Sequence, residues 1–285
     1  MQRALIKNFS LQHTLESGQF FQYEKKGEWY YVITTERVFK VKQKGDVLYY
    51  DNVAKNALFR FLGLYVPYEH ILGVLHKDNA VKDYIHSCPG LRVMRYDPWQ
   101  CSVSFLCSSA SNIPKIRGNL FQLAHLFGKK KKYDGKKFFL FPRQGSLLRL
   151  PQIRKAGVGF RASFIQALNA LSPAFFSSLS LLPYAEAKQH LCMQKGIGEK
   201  IADCILLFAY HKWEAFPFDV WIEKAVRYHY GTQRMPKKKL LLLPTTIFPH
   251  YRGYAQQFLY HGFRHRQRAA KQSLFSQEHS SLLHS

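Results

Sequence analysis

The hydrophobic period of this chain changes once, near residue 97, and that change limits the folds open to it. Before it, apolar and charged side chains alternate: Phe39 and Val41 against Lys40 and Lys42, the two-residue period of a half-buried strand. An aromatic run at 19–23, a turn containing Gly27, a second run at 29–41, the turn Lys44-Gly45-Asp46 and then 47–50 read as two consecutive hairpins. They predict a small antiparallel sheet, with a helix over 54–64 packed on it. After residue 97 the spacing becomes three and four. Asp97-Pro98 reads as an N-cap followed by proline at the first helical position, leading into 99–106. Ile116, Leu120, Leu123 and Phe127 mark a helix from Pro114 that Gly128 ends, and Phe164, Ile165, Leu168 and Leu171 mark another. Further helices are expected at 185–192, 199–211, 220–230 and 254–266. The expected fold class is therefore α+β, with a β-rich antiparallel N-terminal domain (1–96) and a mostly helical region (97–270). A Ser- and His-rich disordered tail (271–285) is expected to follow.

With 285 residues, 47% hydrophobic and 15% aromatic, the chain has interior enough for a folded domain, which excludes disordered, collagen-like and coiled-coil classes. Its 42 Lys and Arg against 18 Asp and Glu leave a formal charge of +24. Such an imbalance calls for a polyanionic partner, nucleic acid or an anionic membrane. No apolar run reaches the roughly 18 residues needed to cross a bilayer, and the first residues do not read as a signal peptide. The five cysteines (Cys88, Cys101, Cys107, Cys192, Cys204) are odd in number and contain no CxxC pair, a poor disulfide framework and a poor zinc site. An intracellular, nucleic-acid-bound protein is expected. The runs 129–137 (KKKKYDGKK), read as a basic loop, and 237–239 either solubilise loops or touch phosphates. His261 and His265, four apart, read as a solvated or DNA-facing helix surface.

The segment 191–222 carries the chemistry. A helix ends near Cys192, Gly196-Ile197-Gly198 turns the chain, and a new helix begins near Glu199. Its open N–H groups and positive dipole end suit a phosphate, although a plain C-cap and turn has the same appearance. On that helix Lys200 and Cys204, four apart, share a face. Nineteen residues after Lys200, Asp219 follows Phe216-Pro217-Phe218 and opens the next helix. Taken singly, Lys200 is a solvated phosphate contact and Asp219 an ordinary N-cap.

Together these residues resemble the 8-oxoguanine DNA glycosylase family of the helix–hairpin–helix, Gly/Pro–Asp superfamily. Ser17-Gly18-Gln19-Phe20 is similar to its SGQ-F element, Pro89-Gly90-Leu91-Arg92 through Asp97-Pro98, Cys101 and the segment 105–109 to its PGxR…DP…C…F-CSS segment. The stretch 157–162 (GVGFRA) resembles its GxGYRA turn, and Gly253-Tyr254-Ala255-Gln256 through Tyr260 its GWAQxxLF element. The ordered matches run from residue 17 to 260. The resemblance implies a helix–hairpin–helix catalytic region in which Lys200 is the nucleophile and Asp219 assists it. It further implies that the Gly18 carbonyl reads the N7–H of 8-oxoguanine, that Cys204 and Tyr260 sandwich the extruded base, and that Gln256 bonds its Watson–Crick edge. Phe160 would be the wedge in the vacated stack, Arg161 and Asn112 would hold the orphaned partner base, and Lys195, Gly196 and Gly198 would meet backbone phosphate.

Displacing a base from C1′ gives the sugar oxocarbenium character. A neutral amine traps C1′ as a Schiff base, after which β-elimination nicks the strand. A carboxylate beside it stabilises the positive sugar and moves protons. The chain departs from the family pattern at Trp221 (usually histidine), at Ala110 and Ser111 (usually asparagines), at Lys195 (usually proline) and at Phe160 (usually tyrosine). No cysteine follows Cys204, so the four-cysteine iron–sulfur cluster of related glycosylases has no ligands. No cofactor and no metal is expected. The expected partner is damaged double-stranded DNA, without a membrane, and the protein is expected to be a monomer of a prokaryotic cytoplasm or a eukaryotic nucleus. A glycosylase for another damaged purine, or a non-catalytic helix–hairpin–helix DNA-binding protein, are the alternatives.

Overall fold

The run Trp-Tyr-Tyr-Val-Ile at 29–33 has no polar member, because the strand it forms is covered on both faces. A computed structural model describes residues 1–282, with side chains described through residue 270. Strands β1 (Gln2–Leu5), β2 (Tyr23–Lys26), β3 (Trp29–Ile33), β4 (Val38–Lys44) and β5 (Val47–Asp51) form one antiparallel sheet in the order β1-β5-β4-β3-β2. Its register sets Tyr30 opposite Val41, Val32 opposite Phe39, and Val41 opposite Tyr50. Those residues face the main core, whereas Tyr31, Ile33 and Val38 point the other way and pack against Phe138 and Leu140. The helix α1 (Leu11–Leu15) lies between β1 and β2.

The second face accounts for one correction. The segment 129–137, expected to be a basic loop, is instead a hairpin of β6 (Lys130–Tyr133) and β7 (Lys136–Phe139). Asp134 and Gly135 both stand at positive φ, as a tight two-residue hairpin turn requires. The hairpin docks because Phe138 stacks on Tyr31 at 5.6 Å, while Asp134 accepts from the Tyr31 hydroxyl at 2.5 Å and pairs with Lys40 at 2.9 Å. The charge run concealed an Asp-Gly turn.

Four helices follow the sheet: α2 (Lys55–Phe61), α3 (Tyr68–Leu75), α4 (Asn79–Ser87) and α5 (Pro98–Leu106). Only the first and last of these were expected. Asp97 caps α5 by accepting from the Gln100 N–H at 2.7 Å, and every residue from Trp99 to Leu106 is buried. The Ser102 and Ser104 hydroxyls, buried with it, each donate one turn back at 2.7 Å, to the Pro98 and Gln100 carbonyls. Next come α6 (Ile113–Phe127), α7 (Leu150–Ile153), α8 (Ala162–Asn169), α9 (Pro173–Leu179) and α10 (Tyr184–Cys192). The chain ends with α11 (Glu199–Tyr210), α12 (Val220–His229), α13 (Lys237–Leu240), α14 (Leu243–Ile247) and α15 (Arg252–Leu282).

Helix α11 packs on α5, with Phe105 and Phe208 stacked at 5.4 Å, and α15 packs on α4 and α12, with Gly262 against Tyr84 and Phe263 beside Tyr228. One continuous core thus joins the sheet to the helices. The backbone of α15 extends through 271–282, within the stretch read as a tail, carried on from the strong helix formers Arg-Gln-Arg-Ala-Ala-Lys-Gln at 266–272. Residues 283–285 lie outside the described residues. His261 departs from its expected place on a solvated surface: its Nε2 sits 3.1 Å from Nδ1 of His13. No described helix is long and apolar enough to cross a membrane.

Candidate active site

Three helix starts and one turn converge on a cavity of about 300 Å³. Lys200 enters it from the first turn of α11, Asp219 from the cap of α12, Gln256 and Tyr260 from α15, and Gly18 from the turn after α1. Cys204, one helical turn beyond Lys200, completes the wall.

Lys200 is half-buried. Its Nζ donates to Ser108 Oγ at 3.0 Å and lies 5.6 Å from the centre of the Phe105 ring. Asp219 caps α12, its Oδ1 accepting from the Ile222 N–H at 2.9 Å, so one local hydrogen bond fixes where the carboxylate stands. The Lys200 and Asp219 side chains, nineteen residues apart in sequence, therefore meet one space while each is held by a different element.

The flat walls are Cys204 and Tyr260. Burial pushes the Cys204 thiol up to about 12, Asp203 and Asp219 adding to it and the nearby Lys200 charge opposing, so it is a neutral sulfur at neutral pH. Burial likewise raises Tyr260 to about 12, although Arg264, which donates to its hydroxyl at 3.1 Å, pulls the other way. Gln256 donates through Nε2 to the Pro217 carbonyl at 3.1 Å. Its Oε1 is buried and finds no hydrogen-bond partner among the described residues. An acceptor in that condition costs roughly 1–3 kcal/mol unless something donates to it. A ligand N–H removes that cost.

Gly18 stands at φ +81°, where residues with a side chain are strained, and an added Cβ would sit 3.1 Å from Tyr260 Cε1. The turn is held by its neighbour: the Gln19 amide donates to the Thr14 and Arg92 carbonyls at 3.0 and 2.7 Å and accepts from the Met94 N–H at 2.7 Å. The Gly18 backbone is thereby locked from outside the cavity.

The other expected contacts lie around the rim. Phe160 is 59% exposed on the turn between α7 and α8, an apolar ring standing in water. Asn112 lines the cavity with its side chain engaged as the cap of α6, accepting from the Lys115 N–H at 3.0 Å. Arg161 differs from expectation. It is 4% exposed, and its guanidinium donates to the carbonyls of Ser109, Ala110 (3.2 Å) and Val158 (3.2 Å). With its donors turned inward it braces the 108–111 turn rather than offering itself to a ligand. Lys195 is exposed, and no side chain caps α11 at Gly198, which leaves an anion-ready helix start on the outer surface. Gly196, at φ +84°, lies so close to Phe164 that a Cβ would come within 2.3 Å of its ring. Among the departures from the family pattern, Trp221 lines the cavity with the Arg264 guanidinium 5.7 Å from its ring, and Ala110 holds φ +45°.

Sequence reading did not assign roles to Ser108, Gln257 or Arg264. Ser108 lies inside the matched 105–109 segment, but its hydroxyl acquires meaning only beside a lysine that is distant in sequence. Gln257 donates to the Ser17 carbonyl at 3.1 Å, tying α15 to the Gly18 turn.

Comparison with known proteins agrees with this architecture. The family description "8-oxoguanine DNA glycosylase, N-terminal domain" matches residues 4–101. The N-glycosylase/DNA lyase OGG1 of Arabidopsis thaliana is 30% identical over 275 residues, covering 87% of this chain and 75% of that protein. A probable N-glycosylase/DNA lyase of Methanothermobacter thermautotrophicus is 25% identical over 66% of this chain and 68% of its own length. Among solved structures, the Clostridium acetobutylicum 8-oxoguanine glycosylase/lyase, in complex with double-stranded DNA containing cytosine opposite 8-oxoguanine, superposes with a TM-score of 0.86 at 26% identity, over 94% of this chain and 99% of that one. The chain belongs to the 8-oxoguanine DNA glycosylase family of N-glycosylase/DNA lyases.

Proposed function

We propose that this protein is a base-excision repair enzyme that takes 8-oxoguanine out of duplex DNA, cleaves its N-glycosidic bond and nicks the strand. The single observation that carries the reading is the gathering of Lys200, Asp219 and the unpartnered Gln256 Oε1 in one cavity walled by Cys204 and Tyr260. Extruding a base costs a few kcal/mol, which stacking and hydrogen bonding in the cavity, together with a wedge in the duplex, have to offset. The exposure of the Phe160 ring supports it as that wedge, and the +24 charge draws the polyanion in.

In the chemical step the neutral Lys200 amine forms a bond to C1′ as the C1′–N9 bond breaks and its electron pair leaves with the base. Asp219 stabilises the positive charge that develops on the sugar. The sugar ring opens to a protonated Schiff base. Loss of a C2′ proton then expels the 3′ phosphate, which is the lyase step. Ser108 orients the amine, and the Gly18 carbonyl is available to an N7–H donor that guanine lacks. On this reading residues 1–96 supply the base-reading turn and 97–270 the reacting groups. On the same reading the enzyme acts as a monomer, and it works where the cell keeps its DNA, in a nucleoid or a nucleus.

Borohydride trapping on a duplex carrying 8-oxoguanine tests the proposal. A covalent protein–DNA adduct is expected from the parent and none from Lys200→Gln. An adduct that survives this substitution removes the assigned nucleophile. A panel of damaged purines, each opposite all four bases, decides the substrate.

A further inference from the structure

Outside the cavity, three potential ligands from three distant segments converge. His13 lies on α1, Cys88 ends α4, and His261 lies on α15. The His13 Nδ1 and His261 Nε2 are 3.1 Å apart, and these nitrogens and the Cys88 sulfur all lie within 4.8 Å of one another. The two imidazoles meet edge to face at 73°, with ring centres 5.3 Å apart, so they are not a stacked pair. Cys88 is 1% exposed. Its sulfur lies 3.9 Å from the Ser87 hydroxyl.

We propose that His13, Cys88 and His261 bind one Zn²⁺ ion. Tetrahedral zinc holds imidazole nitrogen at about 2.0–2.1 Å and thiolate at about 2.3 Å, which sets neighbouring donors roughly 3.3–3.6 Å apart. The two nitrogens nearly satisfy that spacing already, and the sulfur has at most about 1.2 Å to close. One thiolate and two imidazoles form a donor set that zinc prefers to magnesium or calcium. Water takes the fourth position from the half-exposed side of His13. Binding releases the thiol proton to solvent, leaving a site of charge +1. Burial first, and then the positive neighbours His265 and, for His261, Arg264, disfavour charge on the two rings, and the Glu16 carboxylate acts on both in the opposite sense.

The ion is structural. His13 lies on the short helix that leads into Gly18, and His261 directly follows Tyr260. Bound zinc would pin the turn that bears Gly18 to the helix that bears Tyr260, from behind the cavity wall. The sequence alone pointed to no metal, because these ligands are 75 and 173 residues apart in the chain.

The test uses the full-length, tag-free protein, stripped with chelator and titrated with Co²⁺ and then Zn²⁺. One equivalent of Co²⁺ is expected to give tetrahedral visible bands and a near-ultraviolet thiolate charge-transfer band, both erased by one equivalent of Zn²⁺. Zn²⁺ is also expected to raise the Tm of the parent. In Cys88→Ser the charge-transfer band disappears, zinc affinity falls at least about tenfold, and the Tm shift shrinks. His261→Gln, a second variant in case the first folds poorly, also weakens binding at least about tenfold. A parent spectrum without a thiolate band, or affinity unchanged in both variants, overturns the site. Neither result bears on trapping at Lys200, so this proposal and the catalytic one fail separately.

Discussion

Ser108 Oγ accepts from Lys200 Nζ at 3.0 Å while its own hydroxyl hydrogen goes to the Phe105 carbonyl at 2.7 Å. A hydroxyl whose proton is already committed can only accept from the amine, so Ser108 aims the nitrogen. Ser108→Ala removes the aim and keeps the helix. A hydrogen bond from the neutral amine contributes about 0.5–1.5 kcal/mol, so single-turnover base excision should slow by roughly 2- to 10-fold with DNA affinity unchanged. A parent-like rate would show that the lysine needs no such guide.

Asp219 carries two duties that one substitution separates. Asn caps a helix as well as Asp does, so Asp219→Asn should keep the hydrogen bond to the Ile222 N–H and the fold. It cannot supply a negative charge, and excision should fall by about 10²- to 10⁴-fold. Asp219→Ala should lose the cap as well, at a cost of roughly 1 kcal/mol in thermal unfolding. Equal stability of the two variants, or an active Asn variant, would contradict this division.

Gly18 is constrained twice, by φ +81° and by Tyr260 at 3.1 Å from a would-be Cβ. Gly18→Ala should cost about 1 kcal/mol or more in stability and shift the turn that lines the cavity, whose carbonyl is proposed to read the base. The ratio of kcat/KM for 8-oxoguanine over guanine should drop. An unaltered ratio would dissociate that carbonyl from base selection.

Ala110 stands at φ +45°, a left-handed conformation that alanine adopts only under strain. The family pattern has asparagine there, which tolerates it. Ala110→Gly should therefore stabilise the protein by about 1 kcal/mol, a rise in Tm of a few degrees in calorimetry. A fall in Tm would mean that the turn, braced by Arg161, needs the alanine methyl.

His211 ends α11 in the left-handed conformation, and its Nε2–H donates to the Val93 and Met94 carbonyls at 3.2 Å. Burial first, and then the Arg95 charge, lower it to about 4 from an ordinary 6.5. The unfolded chain takes up this proton below pH 6.5 and the folded one only near pH 4, so stability is lost as pH falls through that window. The full effect is roughly 3 kcal/mol. His211→Asn suits the same backbone and should flatten the stability curve between pH 6.5 and 4 by about one proton. An unchanged slope would assign acid sensitivity to other groups.

Much of the site was legible in the chain because its signals act locally. The caps at Asp97 and Asp219 and the Gly196–Gly198 turn are settled within a few residues. The spacing from Lys200 to Asp219 is a matter of helix, turn and helix. Fold class followed from the change of period at residue 97, although α3 and α4, which lie before it in the stretch read as β-rich, were missed. The hairpin of β6 and β7 was missed because a charge run outweighed an Asp-Gly pair, whose evidence lay on Tyr31 in another strand.

Amino-acid order alone determined the change from strands to helices, the caps at Asp97 and Asp219, and that a lysine and an aspartate stand at successive helix starts. Tertiary structure alone decided what each side chain meets: that Arg161 is buried under the Ser109 carbonyl, that Gln256 keeps an oxygen without a donor, and that His13, Cys88 and His261 face one point. Caps and periods arise from backbone groups a turn apart, whereas burial and hydrogen-bond partnership depend on surfaces brought together only when the sheet and the helices close on one core.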